Sequence, residues 1–202
     1  MIKREIQEKF EKITNSRKVI LITGARQVGK STLVKSLCEK DRTYITLDDL
    51  KLRELAQNDP KLFLMTYKGK LIIDEVQYAP NLFPYIKMEV DNSNEKGKYW
   101  LTGSQRFELM KNVDESLAGR ISILELSPLS VAEKEGIKSN LFDPRKIELK
   151  DNLSVNTIYK HIFNGGMPEY IIDKIDRNIF FEDYIRTYLE RDVRQLAQVG
   201  DL

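Results

Sequence analysis

A short loop near the N-terminus has the residue types that bind phosphate. Residues 24–31 read GARQVGKS, with Gly24 and Gly29 ahead of a lysine and a serine. Glycine permits positive φ and leaves space for the close approach of phosphate oxygens. Backbone N–H groups of such a loop, with the start of a following helix, attract an anion. Lys30 would then reach the β and γ phosphates of a bound nucleotide, and the Ser31 hydroxyl would complete the coordination of Mg²⁺. The spacing therefore predicts a nucleoside-triphosphate site rather than a chance glycine turn.

Two adjacent carboxylates follow an apolar run further along the chain. Residues 71–77 read LIIDEVQ, which predicts a buried strand ending in Asp74 and Glu75. Asp74 is placed to hold a water of Mg²⁺. Glu75, one residue beyond, is placed to polarise an attacking water as a general base. Adjacent carboxylates repel unless a cation or hydrogen bonds offset the repulsion. An ordinary Asp–Glu pair at a strand end is the alternative.

Two further segments offer polar groups for the same chemistry. In YWLTGSQRF (99–107), Ser104 or Thr102 would hydrogen-bond the attacking water or the γ-phosphate, with a strand-terminal turn as the alternative. In SLAGRISILELSPLS (116–130), Arg120 precedes an apolar run. Arginine neutralises charge on a transferring phosphoryl group, in cis or from a neighbouring subunit. A surface salt bridge explains Arg120 equally well.

Strand and helix patterns place these residues at strand ends. Five short runs predict strands: KVILIT, TYITLDD, KGKLIIDE, KYWLTGS and ISILELS. Most are separated by helical spacing, which predicts an α/β domain with a largely parallel sheet over residues 1–127. Ligands bind at the carboxyl ends of strands in such sheets. Residues 128–202 show helical patterns, including a helix broken at GGMP and a long amphipathic helix from 177 to 202. That helix stops without a compact close, which suggests the front part of a larger protein.

The order of these motifs is similar to that of a known family. GARQVGKST, LIIDEVQ, LTGSQ, SLAGR, GGMPEY and YLERDV resemble the prokaryotic AAA-type P-loop ATPases whose second half is a DUF4143 domain. The resemblance covers nearly the whole chain. The phosphate loop is shared by many NTPases, whereas RQVGK combined with DEVQ, TGSQ and LAGR is much narrower. Family members usually continue for about another domain, so the resemblance also implies a longer protein.

The resemblance implies a fold and a set of site residues. The fold is an ASCE-type P-loop core with sheet order 5-1-4-3-2, followed by a small helical lid. Asp74 and Glu75 would serve Mg²⁺ and hydrolysis, Ser104 would be the sensor, and Arg120 would stand where an arginine finger often lies. Pro168, in GGMP, would contact the base, with a helix-breaking turn as the alternative. The implied phosphate-binding residues are consecutive: Gly24, Ala25, Arg26, Gln27, Val28, Gly29, Lys30, Ser31 and Thr32.

Binding of phosphate by the loop gives no role to the side chains of Arg26 and Gln27. For these two side chains we expect local packing or a contact outside the loop.

The composition of the chain argues against several classes of function. Lys and Arg total 33 against 31 acidic residues, and this near balance does not support nucleic-acid binding. His161 is the only histidine, which excludes a His-cluster metal site and a Ser-His-Asp triad. Cys38 is the only cysteine, and the apolar runs are too short to span a bilayer, so we expect a cytoplasmic protein without a membrane segment.

The leading hypothesis is an ATPase that binds ATP with Mg²⁺ and activates water through Glu75. The first alternative is a nucleotide-gated switch or scaffold with slow or no turnover, and the second is a small-molecule kinase. The absence of an Asn-Lys-x-Asp motif favours ATP over GTP. The expected partners are ATP and ADP, with a second copy of the chain or a client protein beyond them.

Overall fold

The sheet determines where every candidate residue lies. The computed structural model describes residues 2–104, 117–137 and 154–189. Its elements run in this order: α1 (Gln7–Thr14), β1 (Val19–Thr23), α2 (Lys30–Ser36), β2 (Arg42–Thr46), α3 (Leu50–Asn58), α4 (Pro60–Thr66), β3 (Lys70–Asp74), a 3₁₀ turn (Val76–Tyr78), α5 (Leu82–Asp91), β4 (Tyr99–Thr102), β5 (Ile121–Glu125), α6 (Val131–Glu135), α7 (Val155–Asn164), α8 (Pro168–Asp173), α9 (Arg177–Tyr184) and a π-helical turn (Ile185–Leu189).

Within the described residues, the five strands form one parallel sheet in the order β2-β3-β4-β1-β5. The predicted order 5-1-4-3-2 is therefore confirmed. Strand β1 is buried along its whole length, as expected of a central parallel strand covered on both faces. Because all strands run the same way, the residues that follow β1, β3 and β4 leave the sheet at one edge, which we call the carboxyl edge. The opposite edge is the amino edge.

The two faces of the sheet are packed differently. One face, which includes Leu21 and Ile73, belongs to a large apolar cluster together with Phe63 and Phe83 from the helices. On the other face, the ring of Trp100 meets Phe10 of α1 edge to face, with ring centres 4.6 Å apart. These side chains are all but excluded from solvent. The apolar layers hold the strands in register and so fix the positions of their ends.

Two capped helices lie between β2 and β3, where the sequence predicted helical spacing without resolving separate elements. Asp49 caps α3 by accepting hydrogen bonds from the backbone N–H groups of residues 51 and 52. Asp59 caps α4 by accepting from one N–H group, that of residue 62, and Pro60 occupies the first helical position, where its missing N–H removes no hydrogen bond. These signals explain why one long segment forms two short helices.

By its internal contacts the chain divides into two units. The first contains Lys3–Ala25 and Gly29–Ser127, and the second contains Arg26–Val28 and the described residues from Pro128 onward. In the described part of the chain, no helix is both long and apolar enough to cross a membrane.

Hydrogen bonds fix the local structure of the second unit. Ser130 and Glu133 form a reciprocal capping box at the start of α6. The N–H of Leu129 donates to the carbonyl of Gly166 at 2.7 Å, and a side chain at position 166 would clash with that backbone. The predicted break at GGMP is present, because α7 ends at Asn164 and α8 begins at Pro168. The part of the predicted final helix beyond residue 189 lies outside the described residues.

Candidate functional site

The phosphate loop has the backbone conformation that its glycines allow. Gly24 has φ of 145° and Gly29 has φ of 92°, both in the region that glycine adopts without a side-chain clash. Gly29 is also the residue before α2, so no side chain caps the first N–H groups of that helix. A helix start left uncapped next to a glycine loop is suited to bind an anion.

Lys30 is buried although it carries a charge, with only 5% of its surface exposed. Its ammonium donates hydrogen bonds to the carbonyl oxygens of Gly24 at 3.1 Å and Ala25 at 2.8 Å. The loop thus curves around the end of its own lysine. Burial of a lysine is unfavourable unless its charge is hydrogen-bonded, and here loop carbonyls supply that compensation.

Asp74 ends β3 and is 3% exposed. Among the residues that the structure describes, the donors to its carboxylate are hydroxyl groups. The Ser31 hydroxyl donates to Asp74 Oδ1 at 2.9 Å, and the Thr102 hydroxyl donates to the same oxygen. Ser31 and Asp74, 43 positions apart in sequence, are therefore in direct contact at the carboxyl edge.

The other oxygen of Asp74 has a different partner. The Tyr44 hydroxyl donates to Asp74 Oδ2 at 2.5 Å. Burial, and after it the hydrogen bond to Asp74, raise the pKa of the Tyr44 phenol well above its ordinary value of 10. Tyr44 therefore remains protonated, and remains a donor, across the whole range in which proteins are usually studied.

Glu75 has an unusual backbone for a non-glycine residue, with φ of 58° and ψ of 45°. This left-handed conformation is unfavourable by about 1 kcal/mol or more. Two groups fix it in place: the Glu75 N–H donates to the Thr102 hydroxyl at 3.1 Å, and the Gln77 amide donates to Glu75 Oε2. The Glu75 carboxylate is thus in contact with the side chain of Gln77, two residues further along the chain.

Ser104 and Thr102 do not have the same partners. The Ser104 hydroxyl donates to Glu75 Oε2 at 3.4 Å, whereas fully buried Thr102 contacts Asp74. The sequence left open which of the two would serve the reacting phosphate. The structure gives each a different carboxylate, Ser104 that of Glu75 and Thr102 that of Asp74.

Arg120 lies at the other end of the sheet. It precedes Ile121, which pairs with Val19 at the beginning of β1, whereas the phosphate loop follows the end of that strand. Its guanidinium forms a two-point ion pair with Asp91, with N–O distances of 2.5 and 3.2 Å. The pairing raises the pKa of Arg120 and lowers that of Asp91, in both cases chiefly through the hydrogen bond between them. The chain does not bring Arg120 to its own loop.

Pro168, Arg26 and Gln27 lie in the second unit. Pro168 occupies the first position of α8, where proline favours helix initiation, so the helix-breaking turn is present whether or not the ring contacts a base. Arg26 accepts a hydrogen bond at its carbonyl from the Tyr184 hydroxyl at 3.3 Å, and its guanidinium lies 5.4 Å from the Tyr188 ring centre. The Gln27 amide donates to the Tyr188 hydroxyl at 3.4 Å. The contacts with Tyr188 thus involve the side chains of Arg26 and Gln27, and the contact with Tyr184 involves the backbone of Arg26.

Two residues of this site were not predicted. Gln77 belongs to the DEVQ motif, so its position beside the carboxylates was visible, but nothing in the sequence showed that it turns back to Glu75. Tyr44 gave no signal at all, because only the pairing of β2 with β3 brings it to Asp74.

The donor set suits a magnesium ion. The Ser31 hydroxyl and the Asp74 carboxylate are oxygen-bearing groups in contact with each other, and Mg²⁺ prefers oxygen ligands and one or two carboxylates. No cluster of three or more His, Cys, Asp or Glu side chains suited to a metal occurs among the described residues. The site therefore fits a metal that phosphate oxygens help to hold, rather than one enclosed by protein ligands.

Comparison with known proteins finds matches to two stretches of the chain. Residues 16–135 match the model of AAA_14, an AAA domain, and residues 155–202 match a domain of unknown function, DUF8612. Over 200 residues the chain is 31% identical to uncharacterized proteins Mb2031c of Mycobacterium bovis and Rv2008c of Mycobacterium tuberculosis. The match covers 96% of this chain and 40% of each relative. The chain thus spans less than half the length of these relatives.

A solved structure shares the fold. The Walker-type ATPase PABY2304 of Pyrococcus abyssi superposes on 99% of this chain and 72% of its own, with a TM-score of 0.57 and 19% sequence identity. At this identity the similarity concerns the fold alone, and it agrees with a P-loop ATPase core.

Proposed function

Because the chain belongs to the AAA_14 family of AAA domains, we propose that it binds ATP with Mg²⁺ and hydrolyses it. One observation carries the proposal: Ser31 of the phosphate loop and Asp74 of the acidic pair are in hydrogen-bond contact, 2.9 Å apart, at one edge of the sheet. A triphosphate on the loop would then have its metal-binding carboxylate beside it, and the carboxylate that activates water one residue further on.

Each residue has a defined task in this proposal. Lys30 exchanges its loop carbonyls for β and γ phosphate oxygens, so that its charge offsets theirs. Ser31 and Asp74 would hold Mg²⁺, which when bound neutralises charge on the phosphates. Glu75 takes a proton from the attacking water. Ser104, in contact with Glu75, orients that water.

A second candidate, a nucleotide-gated switch with slow or no turnover, has an observation in its favour. The Glu75 carboxylate accepts hydrogen bonds from both Gln77 and Ser104. Both donors share Oε2 and hold the carboxylate in one orientation, which leaves Oε1 to accept a hydrogen bond from water. If proton transfer requires the carboxylate to turn, and the turn depends on another event, ATP binding alone will not lead to hydrolysis, and purified protein will retain ADP with negligible turnover.

The remaining expectations complete the proposal. Arg120 acts on the nucleotide of a neighbouring copy, since it lies at the amino edge of its own sheet. Pro168 contacts the base, and the helices from residue 128 onward serve as a lid. An association with a DUF4143 domain stays a prediction, as does a cytoplasmic location. The kinase alternative has no support from the site, where the carboxylate pair favours water as the acceptor.

Steady-state phosphate release tests the proposal. Wild type should release phosphate from ATP, Glu75→Gln should reduce the rate by about 10²–10⁴-fold while retaining ATP binding, and Lys30→Ala should lose ATP binding. Glu89→Gln and Lys98→Ala are matched controls, because these two residues form an ion pair at the amino edge and should leave both properties unchanged. Unchanged turnover in Glu75→Gln, with binding lost in Lys30→Ala, would remove Glu75 from the role of base.

A further inference from the structure

Tyr44 reaches the metal-binding carboxylate from the edge strand. In the register of β2 with β3, Thr46 lies opposite Asp74 and Tyr44 lies opposite Ile72, so all four side chains share one face of the sheet. The Tyr44 side chain extends along that face until its hydroxyl lies 2.5 Å from Asp74 Oδ2. A shorter side chain at this position would not reach the carboxylate.

The donors to Asp74 divide between its two oxygens. Ser31 and Thr102 both donate to Oδ1, and Tyr44 is the donor to Oδ2 in the described part of the chain. Loss of Thr102 would leave Ser31 on the same oxygen. Loss of the Tyr44 hydroxyl would leave Oδ2 of a buried carboxylate without its donor, and the rotation of the carboxylate about its last bond would then be limited through Oδ1 alone.

The ring of Tyr44 is itself fixed. The ammonium of Lys35 lies 4.3 Å from the ring centre, close enough for a cation–π contact. Lys35 is in α2, the helix that follows the phosphate loop. Tyr44 is therefore held by the helix that carries Ser31 and in turn holds the carboxylate that accepts from Ser31.

We propose that Tyr44 is a positioning residue for the magnesium site, which holds Asp74 so that Ser31 presents its oxygen to the metal. The inference rests on the proposed function. A serine hydroxyl has one proton and two lone pairs, so a hydroxyl whose proton is directed at Asp74 Oδ1 has its lone pairs available elsewhere. With Oδ2 fixed by Tyr44, Oδ1 keeps one orientation, and the Ser31 oxygen needs no rearrangement when the ion binds.

The test is the dependence of ADP and ATP affinity on Mg²⁺ in Tyr44→Phe, measured by calorimetry. This change removes one oxygen and keeps the ring under Lys35. The Mg²⁺ concentration for half-maximal enhancement of nucleotide affinity should rise about 10-fold or more, whereas the affinity in EDTA should stay as in wild type. Electron paramagnetic resonance of Mn²⁺ with the protein–ADP complex should show a matching loss of affinity. Tyr99→Phe, at the buried start of β4, is the matched control and should show neither change.

The outcomes separate this inference from the proposed function. Wild-type Mg²⁺ dependence in Tyr44→Phe would overturn the role of Tyr44 and leave the proposed function standing. No Mg²⁺ effect on wild type would overturn both. If Tyr44→Phe unfolds more readily, the affinity of its folded fraction in EDTA decides the matter. A positioning role predicts wild-type affinity in EDTA together with a weakened Mg²⁺ effect, and equal losses of affinity with Mg²⁺ and with EDTA would refute the role.

Discussion

The two edges of the sheet carry different kinds of side chain. At the amino edge each strand begins with, or directly follows, a basic residue: Lys18, Arg42, Lys70, Lys98 and Arg120. At the carboxyl edge each strand ends in a hydroxyl or carboxylate residue: Thr23, Thr46, Asp74, Thr102 and Glu125. The same five strands thus connect a basic edge to an edge of oxygen-bearing side chains.

The basic residues of the amino edge already have their partners. Lys70 pairs with Asp41 at 3.2 Å and Lys98 with Glu89 at 2.9 Å, while Lys18 donates to the carbonyl of Val90 at 2.7 Å. At the carboxyl edge Asp74 and Glu75 accept from hydroxyl and amide groups, and their charges are not balanced by those contacts. A cation is the natural complement of that edge, which is why we place chemistry there and stability at the other.

The largest effect on stability is expected from Arg42→Met. The Arg42 side chain is fully buried, donates to the Gly97 carbonyl at 2.7 Å, pairs with Glu39 at 2.8 Å, and lies 3.7 Å from the Trp100 ring centre. Burial lowers the pKa of Arg42, opposed by its bond to Glu39. Removing the guanidinium leaves buried carbonyl groups unsatisfied and should reduce the free energy of unfolding by about 3 kcal/mol.

Chemical denaturation with a parallel ATP titration checks this prediction. Affinity for ATP in the folded variant should match wild type, because Arg42 is at the edge away from the loop. A loss of ATP affinity without a loss of stability would show that the two edges are not separate in function.

A smaller effect is expected from Arg120→Ala. Its ion pair with Asp91 is open to solvent, with both side chains about two-fifths exposed, so the midpoint of thermal unfolding should hardly change. If Arg120 acts on a neighbouring copy, specific ATPase activity of wild type should rise with protein concentration. Mixing Arg120→Ala with Lys30→Ala should then restore activity that neither has alone. Specific activity that stays constant over a wide dilution series would refute the action of Arg120 on a neighbouring copy, and its ion pair with Asp91 would then be its only role.

The sequence was informative where function depends on neighbouring residues. The loop GARQVGKS, the pair Asp74–Glu75 and the succession of strands along the chain follow from local patterns, and the parallel sheet agrees with them. The order of the strands in the sheet was implied by the family resemblance, and the observed order agrees with it. The sequence did not predict side-chain contacts between strands. Tyr44 contacts Asp74 only because β2 lies beside β3. The contact of Glu75 with Gln77 accompanies a left-handed backbone at Glu75, which the residue types at this position do not predict. For Arg120, the sequence spacing could not distinguish a surface ion pair from an arginine finger, since both need an exposed arginine.

The most direct test of the account is calorimetric titration of ATP into wild type and Asp74→Asn, with Mg²⁺ and with EDTA. The account predicts that Mg²⁺ increases the affinity of wild type for ATP about 10-fold or more and has little effect on Asp74→Asn, because Ser31 and Asp74 share the metal. Equal affinities of wild type with Mg²⁺ and with EDTA, or an undiminished Mg²⁺ effect in Asp74→Asn, would contradict it.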